Sequence, residues 1–230
     1  MFCNTLQVIF DLLAEYILII KYKRKSVLFR KPPTAWSQGS RGNVVIVPGF
    51  GETWTGLATI ATSLNTRGYK IFIVHALGRN FIPLESGVRM VKDLIEQENL
   101  KNVVLLSHSK GGIIGKLLLD DNDFSKRIQQ SISIAVPYKG SIFGYLRILS
   151  LAELIPGSKE IQRLNSITNN NERILNLYSK VDNHVIPNRN LILEGATNIC
   201  IDIVGHTRIL EAKETVVVTQ KNMVFNQKAN

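Results

Sequence analysis

The sequence has little cysteine. Cys3 and Cys200 stand far apart, neither in a CxxC pair nor beside a histidine cluster, which excludes a disulfide framework and a zinc site of the usual spacing. No Asn-x-Ser/Thr sequon occurs, so one common mark of the secretory pathway is missing. Aromatic residues make up 7% of the chain and no short-period repeat is present, which leaves a globular fold rather than a fibre or a solenoid. Long apolar runs are lacking too. The stretch from Leu6 to Ile20 is apolar but interrupted by Asp11 and Glu15, and it falls short of the ~20 residues that a membrane-spanning helix needs. Residues 1–5 hold no Lys or Arg, so the stretch lacks the basic lead of a signal peptide.

What is present is a 230-residue chain, 45% hydrophobic, long enough for one sizeable core. Its formal net charge is +10, and the first 42 residues carry half of the excess through Lys21, Lys23, Arg24, Lys25, Arg30, Lys31 and Arg41 against Asp11 and Glu15. No basic run is interleaved with aromatics, which argues against nucleic acid as a partner. At helical spacing Asn4, Gln7, Asp11 and Glu15 form a narrow polar stripe with a wide apolar face around it, and Lys21 to Lys25 follow. Two roles fit: an anchor on an anionic membrane surface through residues 1–31, or a helix packed on the protein's own domain. Were the segment to insert, the basic flank would hold the domain that follows on the cytoplasmic side, so the expected location is cytoplasmic or peripheral to the cytoplasmic face of a membrane. As a mere anchor, residues 1–30 are expected to be dispensable for what the following domain does in solution.

Residues 30–42, rich in Pro, Ser and Gly, read as a linker, so residues 1–42 form an N-terminal helix and linker and residues 43–230 the domain. Strands are predicted near 43–47, 70–74, 102–106, 131–136, 174–178 and 198–203. They alternate with helical patterns over Thr53–Arg67, Val88–Glu98 and Lys110–Asp120. Such alternation predicts an α/β fold with a mainly parallel six-stranded sheet and helices on both faces. Residues 141–172 break the alternation and read as a small cap insertion.

The informative stretch is Val103 to Gly112, a strand running through Ser107-His108-Ser109-Lys110-Gly111 into a helix. A sharp strand-to-helix turn with a serine at its apex needs small residues two before and two after it, here Ser107 and Gly111. The string also invites a P-loop reading, which fails because Lys110 stands where its first glycine belongs and Leu117 where its Ser/Thr would reach magnesium. Ser109 at a helix start leaves the Lys110 amide aimed at a developing oxyanion, and the turn Pro48-Gly49-Phe50-Gly51 after the first strand supplies a second amide, that of Phe50. Asp182 follows the fifth predicted strand and His206 the sixth, giving the order serine, acid, histidine at one sheet edge. Asp202 is nearer His206 in sequence, but alternation with Ile201 and Ile203 puts it on the strand's side, below that edge. His75, His108 and His184 are weaker candidates for the base. Phe50, Phe143, Tyr145 and Leu146 are candidates to line an acyl site.

With Pro48-Gly49-Phe50-Gly51, Ser107-His108-Ser109-Lys110-Gly111-Gly112, Ile134-Ala135-Val136-Pro137, Val181-Asp182-Asn183-His184 and Gly205-His206-Thr207 in this order, the chain resembles the lipase and esterase branch of the α/β-hydrolase superfamily over about residues 43–225. It departs from that pattern at Pro48, often histidine there, and at Ser107, usually glycine. The resemblance implies a compact α/β-hydrolase fold, ester hydrolysis by Ser109, Asp182 and His206 with the amides of Phe50 and Lys110 as oxyanion donors, a small-molecule or lipid ester as substrate, and no metal or organic cofactor. The same triad also serves acyl transfer and thioester cleavage, and a catalytically silent, membrane-tethered binding module is the rival from a different class.

Overall fold

The computed structural model describes residues 5–28 and 31–224. Six strands, β1 (Gly42–Val47), β2 (Tyr69–Ile73), β3 (Val103–His108), β4 (Ile128–Ile134), β5 (Ile174–Val181) and β6 (Thr197–Val204), form one sheet in the order β2-β1-β3-β4-β5-β6. Every neighbouring pair runs parallel. The helices are α1 (Thr5–Leu28), α2 (Ala58–Asn65), α3 (Leu84–Gln97), α4 (Lys110–Asp120), α5 (Lys159–Ser166) and α6 (Lys213–Asn222).

Alternate strand residues point to opposite faces, and both faces are covered, which is why the strands read as nearly continuous apolar runs. Val45, Val47, Val103 and Leu105 pack with Val91 and Ile95 of α3 and Ile113, Ile114 and Leu118 of α4. On the other face Val44, Ile46, Val104 and Leu106 pack with Ile60, Ala61 and Leu64 of α2. The helix expected over Thr53–Arg67 is split: a 3-10 turn at Trp54–Leu57 precedes α2. The helix expected from Val88 begins earlier, at Leu84, directly after Pro83, whose fixed φ suits a helix entry.

Residues 141–166 contain two 3-10 turns, Ile142–Leu146 and Leu149–Leu154, and then α5. Two buried lysines of α4 hold this cap. Lys110 Nζ donates to Ser150 Oγ at 2.7 Å, and Lys116 Nζ donates to the Leu164 carbonyl at 2.7 Å. Burial lowers the pKa of each lysine to about 8.

The region before β1 departs from a free linker. Trp36 is buried, its ring meets Trp54 edge-on at 5.3 Å, and its Nε1 donates to Thr62 Oγ1 at 3.3 Å. Proline and glycine there remove regular structure without removing packing. The orientation of α1 is more surprising. Of its polar stripe, Asn4 and the side chain of Gln7 lie outside the described residues, but Asp11 and Glu15 face the domain: Asp11 pairs with Arg208 at 2.7 Å and Glu15 is fully buried. The apolar residues Phe10, Leu13, Ile17, Ile20 and Val27 are exposed. Among the described residues no helix is long and apolar enough to cross a membrane.

Candidate active site

Ser109 sits at the turn between β3 and α4 with φ 50° and ψ −124°, a strained conformation for a non-glycine residue. The turn is possible because α4 approaches the end of β1 backbone to backbone. A Cβ on Gly111 would overlap the carbonyl oxygen of Val47 and lie 2.8 Å from that of Pro48. Ser107, two residues before, is buried and donates to the Ile132 carbonyl at 3.1 Å, so its hydroxyl is satisfied inside the sheet.

At the same edge, β5 ends at Val181 and Asp182 follows; β6 ends at Val204 and His206 follows. His206 Nδ1 lies 2.8 Å from Asp182 Oδ2, with both side chains almost fully buried. The other carboxylate oxygen, Oδ1, accepts the amides of His184 at 2.7 Å and Val185 at 2.8 Å. Burial alone would raise the Asp182 pKa, but His206 and these two amides hold it below the ordinary carboxylate value. Burial likewise disfavours the imidazolium of His206, yet the carboxylates of Asp182, Glu52 and Glu15 hold its pKa above the ordinary histidine value. Asp202 is exposed and pairs with Lys180 at 2.8 Å, out of reach of this pair's chemistry.

Ser109 and His206 line one cavity of about 450 Å³. Among the described residues no hydrogen bond joins the Ser109 hydroxyl to the imidazole, a contact that commonly closes only with substrate in place. Phe50, Phe81, Phe143, Leu151 and Leu154 supply apolar wall, whereas Tyr145 and Leu146 are exposed and not part of it. Helix α1 also lines the cavity, through Ile19, Tyr22, Lys23 and Ser26. The Phe50 amide donates no hydrogen bond among the described residues. The Lys110 amide opens α4, where first-turn N–H groups have no partner inside the helix.

Solved structures share this architecture. An α/β-hydrolase enzyme from the metagenome of sediments of the Mar Chica lagoon, Morocco, aligns with a TM-score of 0.58 over 80% of this chain and 91% of its own, at 19% identity. A lipase of Bacillus licheniformis in its mature form aligns with a TM-score of 0.61 over 84% and 94%, at 17% identity. A hydrolase of Oleispira antarctica gives 0.59 over 81% and 93%, at 14% identity. The chain has the α/β-hydrolase fold. No protein-family model and no curated protein matches the sequence.

Within this α/β-hydrolase fold, three side chains near His206 were not expected there from the sequence. His108 is fully buried; its Nδ1 lies 2.8 and 2.9 Å from the two oxygens of Glu52, and its Nε2 lies 3.1 Å from the His206 carbonyl oxygen. Glu52 also accepts the Gly49 amide at 3.0 Å, a tie that the Gly-x-x-Glu spacing of the turn could have suggested. The His184 ring centroid lies 4.7 Å from that of His206 with the planes tilted by 59°, the residue lines the cavity, and burial followed by repulsion from His206 lowers its pKa to about 4.

Proposed function

We propose that this protein is a serine hydrolase that cleaves a carboxylic ester, with Ser109 as nucleophile, His206 as base and Asp182 as the acid that orients it. The observation that carries this reading is the 2.8 Å bond between His206 Nδ1 and Asp182 at the cavity that also holds the strained Ser109. Asp182 fixes the proton on Nδ1 and leaves Nε2 to take the proton of the Ser109 hydroxyl. As Oγ bonds to the ester carbonyl carbon, negative charge moves onto the carbonyl oxygen, where the amides of Phe50 and Lys110 donate to it. Collapse expels the alcohol with the proton held by His206, and water attacks the acyl-enzyme by the same route. No step calls for a metal or an organic cofactor. His206 works as a base only when neutral, so turnover should rise with pH through a midpoint above the ordinary histidine value of ~6.5.

The apolar cavity wall, the exposed apolar ridge of α1 and the basic run Lys21 to Lys25 support a lipid ester met at an anionic membrane surface, with the protein peripheral to its cytoplasmic face. The Bacillus licheniformis neighbour is itself a lipase. The test is a fluorophosphonate probe together with a series of esters of increasing acyl length. Wild type should be labelled and active, and Ser109→Ala should be neither, with an unchanged unfolding temperature. More than a few per cent of wild-type hydrolysis in Ser109→Ala would remove the assignment.

A further inference from the structure

The turn carrying His206 is held at each of its backbone groups in sequence. The Gly205 amide donates to the Val181 carbonyl at 2.9 Å, and the Gly205 carbonyl accepts from Ser179 Oγ at 2.6 Å. The His206 amide donates to Asn183 Oδ1 at 3.0 Å, and the His206 carbonyl faces His108 Nε2. The next two amides are satisfied from outside the sheet and its loops. Thr207 N donates to Glu15 Oε1 at 2.7 Å and Arg208 N to Glu15 Oε2 at 2.8 Å. Glu15 belongs to α1 and has no exposed surface.

The turn is shaped to receive this carboxylate. Gly205 has φ 122°, and a Cβ there would overlap Glu15 Oε2 and stand 3.1 Å from its Cδ, so a side chain at 205 would displace the acid. A second tie lies one helical turn away, where Asp11 pairs with Arg208. Burying a carboxylate is costly unless its oxygens are hydrogen-bonded, and here both oxygens accept from the two amides that follow the histidine.

We propose that Glu15 is a positioning residue for His206, so that the N-terminal helix is a working part of the site and not a detachable anchor; this rests on the reading of Ser109 and His206 as nucleophile and base. By clamping the backbone after residue 206, Glu15 fixes the ring that must meet the serine hydroxyl. It also places an anion near the imidazolium that forms during the reaction. The titratable groups around that ring are Asp182 and His184 from the loop after β5, His108 from β3, Glu52 from the turn after β1, and Glu15 from α1.

Full-length wild type, Glu15→Gln and Glu15→Asp are compared on a soluble short-chain ester, with fluorophosphonate labelling, the pH profile of kcat/KM and hydrogen exchange of the 205–211 segment. In Glu15→Gln we expect kcat to fall about tenfold or more with KM within about twofold, as displacement of a catalytic group by a fraction of an ångström does. Removing one negative charge disfavours the imidazolium, so the acid limb of the profile should move to lower pH, a shift that a purely structural role would not give. The amides of Thr207 and Arg208 should exchange faster. If Glu15→Gln fails to fold, Glu15→Asp decides: the charge is kept one methylene short, so the limb should stay in place while kcat falls, and wild-type kcat there overturns the proposal. An active, labelled wild type with an indistinguishable Glu15→Gln sinks this proposal alone. An inactive, unlabelled wild type sinks the hydrolase reading and this proposal with it.

Discussion

Helix α4, which starts directly after Ser109, and helix α1, which lines the cavity, treat their side chains in opposite ways. Along α4 nearly everything is buried, including Lys110 and Lys116, whose ammonium groups end on carbonyl and hydroxyl oxygens of the loop at 80–82 and the cap. Along α1 the carboxylates go inward, while Phe10, Ile17 and Leu28 are about two-thirds exposed. A side chain's polarity therefore sets the cost of each direction and not the direction itself. On α4 the cost of burying two ammonium groups is offset by hydrogen bonds that stitch the cap to the core. On α1 the buried carboxylate is offset by two amides, but among the described residues nothing covers the exposed ridge, which is what an apolar surface outside the chain would do.

The contrast breaks first at the start of α4, where the backbone has no room. Gly111→Ala puts a Cβ against the Val47 and Pro48 carbonyls, and no rotamer relieves a clash with backbone. Unfolding stability should fall by on the order of 3 kcal/mol, and hydrolysis should drop to the level of Ser109→Ala because the turn that presents the serine cannot close. Near-wild-type turnover in this variant would mean that α4 does not approach β1 as described.

A smaller effect is expected on the outer face of α1. Ile17→Ser and Ile20→Ser remove apolar side chains that are already exposed, so the unfolding temperature should hardly change. Binding to vesicles of phosphatidylcholine with phosphatidylserine should weaken by about tenfold per residue, and salt should weaken it further through the Lys21 to Lys25 run. Lost stability with unchanged vesicle binding would instead place the ridge against protein.

How much of this was readable from the sequence differs between the same two helices. The site edge was readable because a parallel α/β sheet puts the ends of β1, β3, β5 and β6 together, so chain order alone placed Ser109, Asp182 and His206 at one rim. The strand alternation likewise set Asp202 apart, exposed beside the buried Ile201. Glu15 was visible as one member of a polar stripe, but its role depends on contacts 192 and 193 residues away that no local pattern encodes. The expectation that residues 1–30 are dispensable for turnover failed to anticipate that α1 walls the cavity. Glu52 and His108 were hidden for the same reason: their pairing spans 56 residues and is made by the fold. Lys116 stands among apolar neighbours on its helix, and only the position of α5 gives it a carbonyl to bind.

The finest test of the contrast is the pH dependence of that buried lysine. Lys116 is chosen over Lys110 because it lies two turns from the serine and its one side-chain hydrogen bond among the described residues is to the Leu164 carbonyl of the cap. Its pKa is lowered to about 8 in the folded protein from the ordinary 10.5, chiefly by burial. Between these values the unfolded chain holds the proton more tightly than the folded one, so this residue makes folding more favourable as pH rises from about 8 to about 10.5. Below about pH 8 the ammonium is present in both states and its burial penalty is full and constant. Lys116→Met has no such dependence. Urea unfolding of both proteins across pH 6 to 10.5 should give a stability difference that is flat up to about pH 8 and then moves in favour of wild type, by no more than about 1.4 kcal/mol per pH unit. A difference that stays flat over the whole range would mean that the ammonium reaches water in the folded protein, and that α4 does not bury its charge as deeply as α1 buries Glu15.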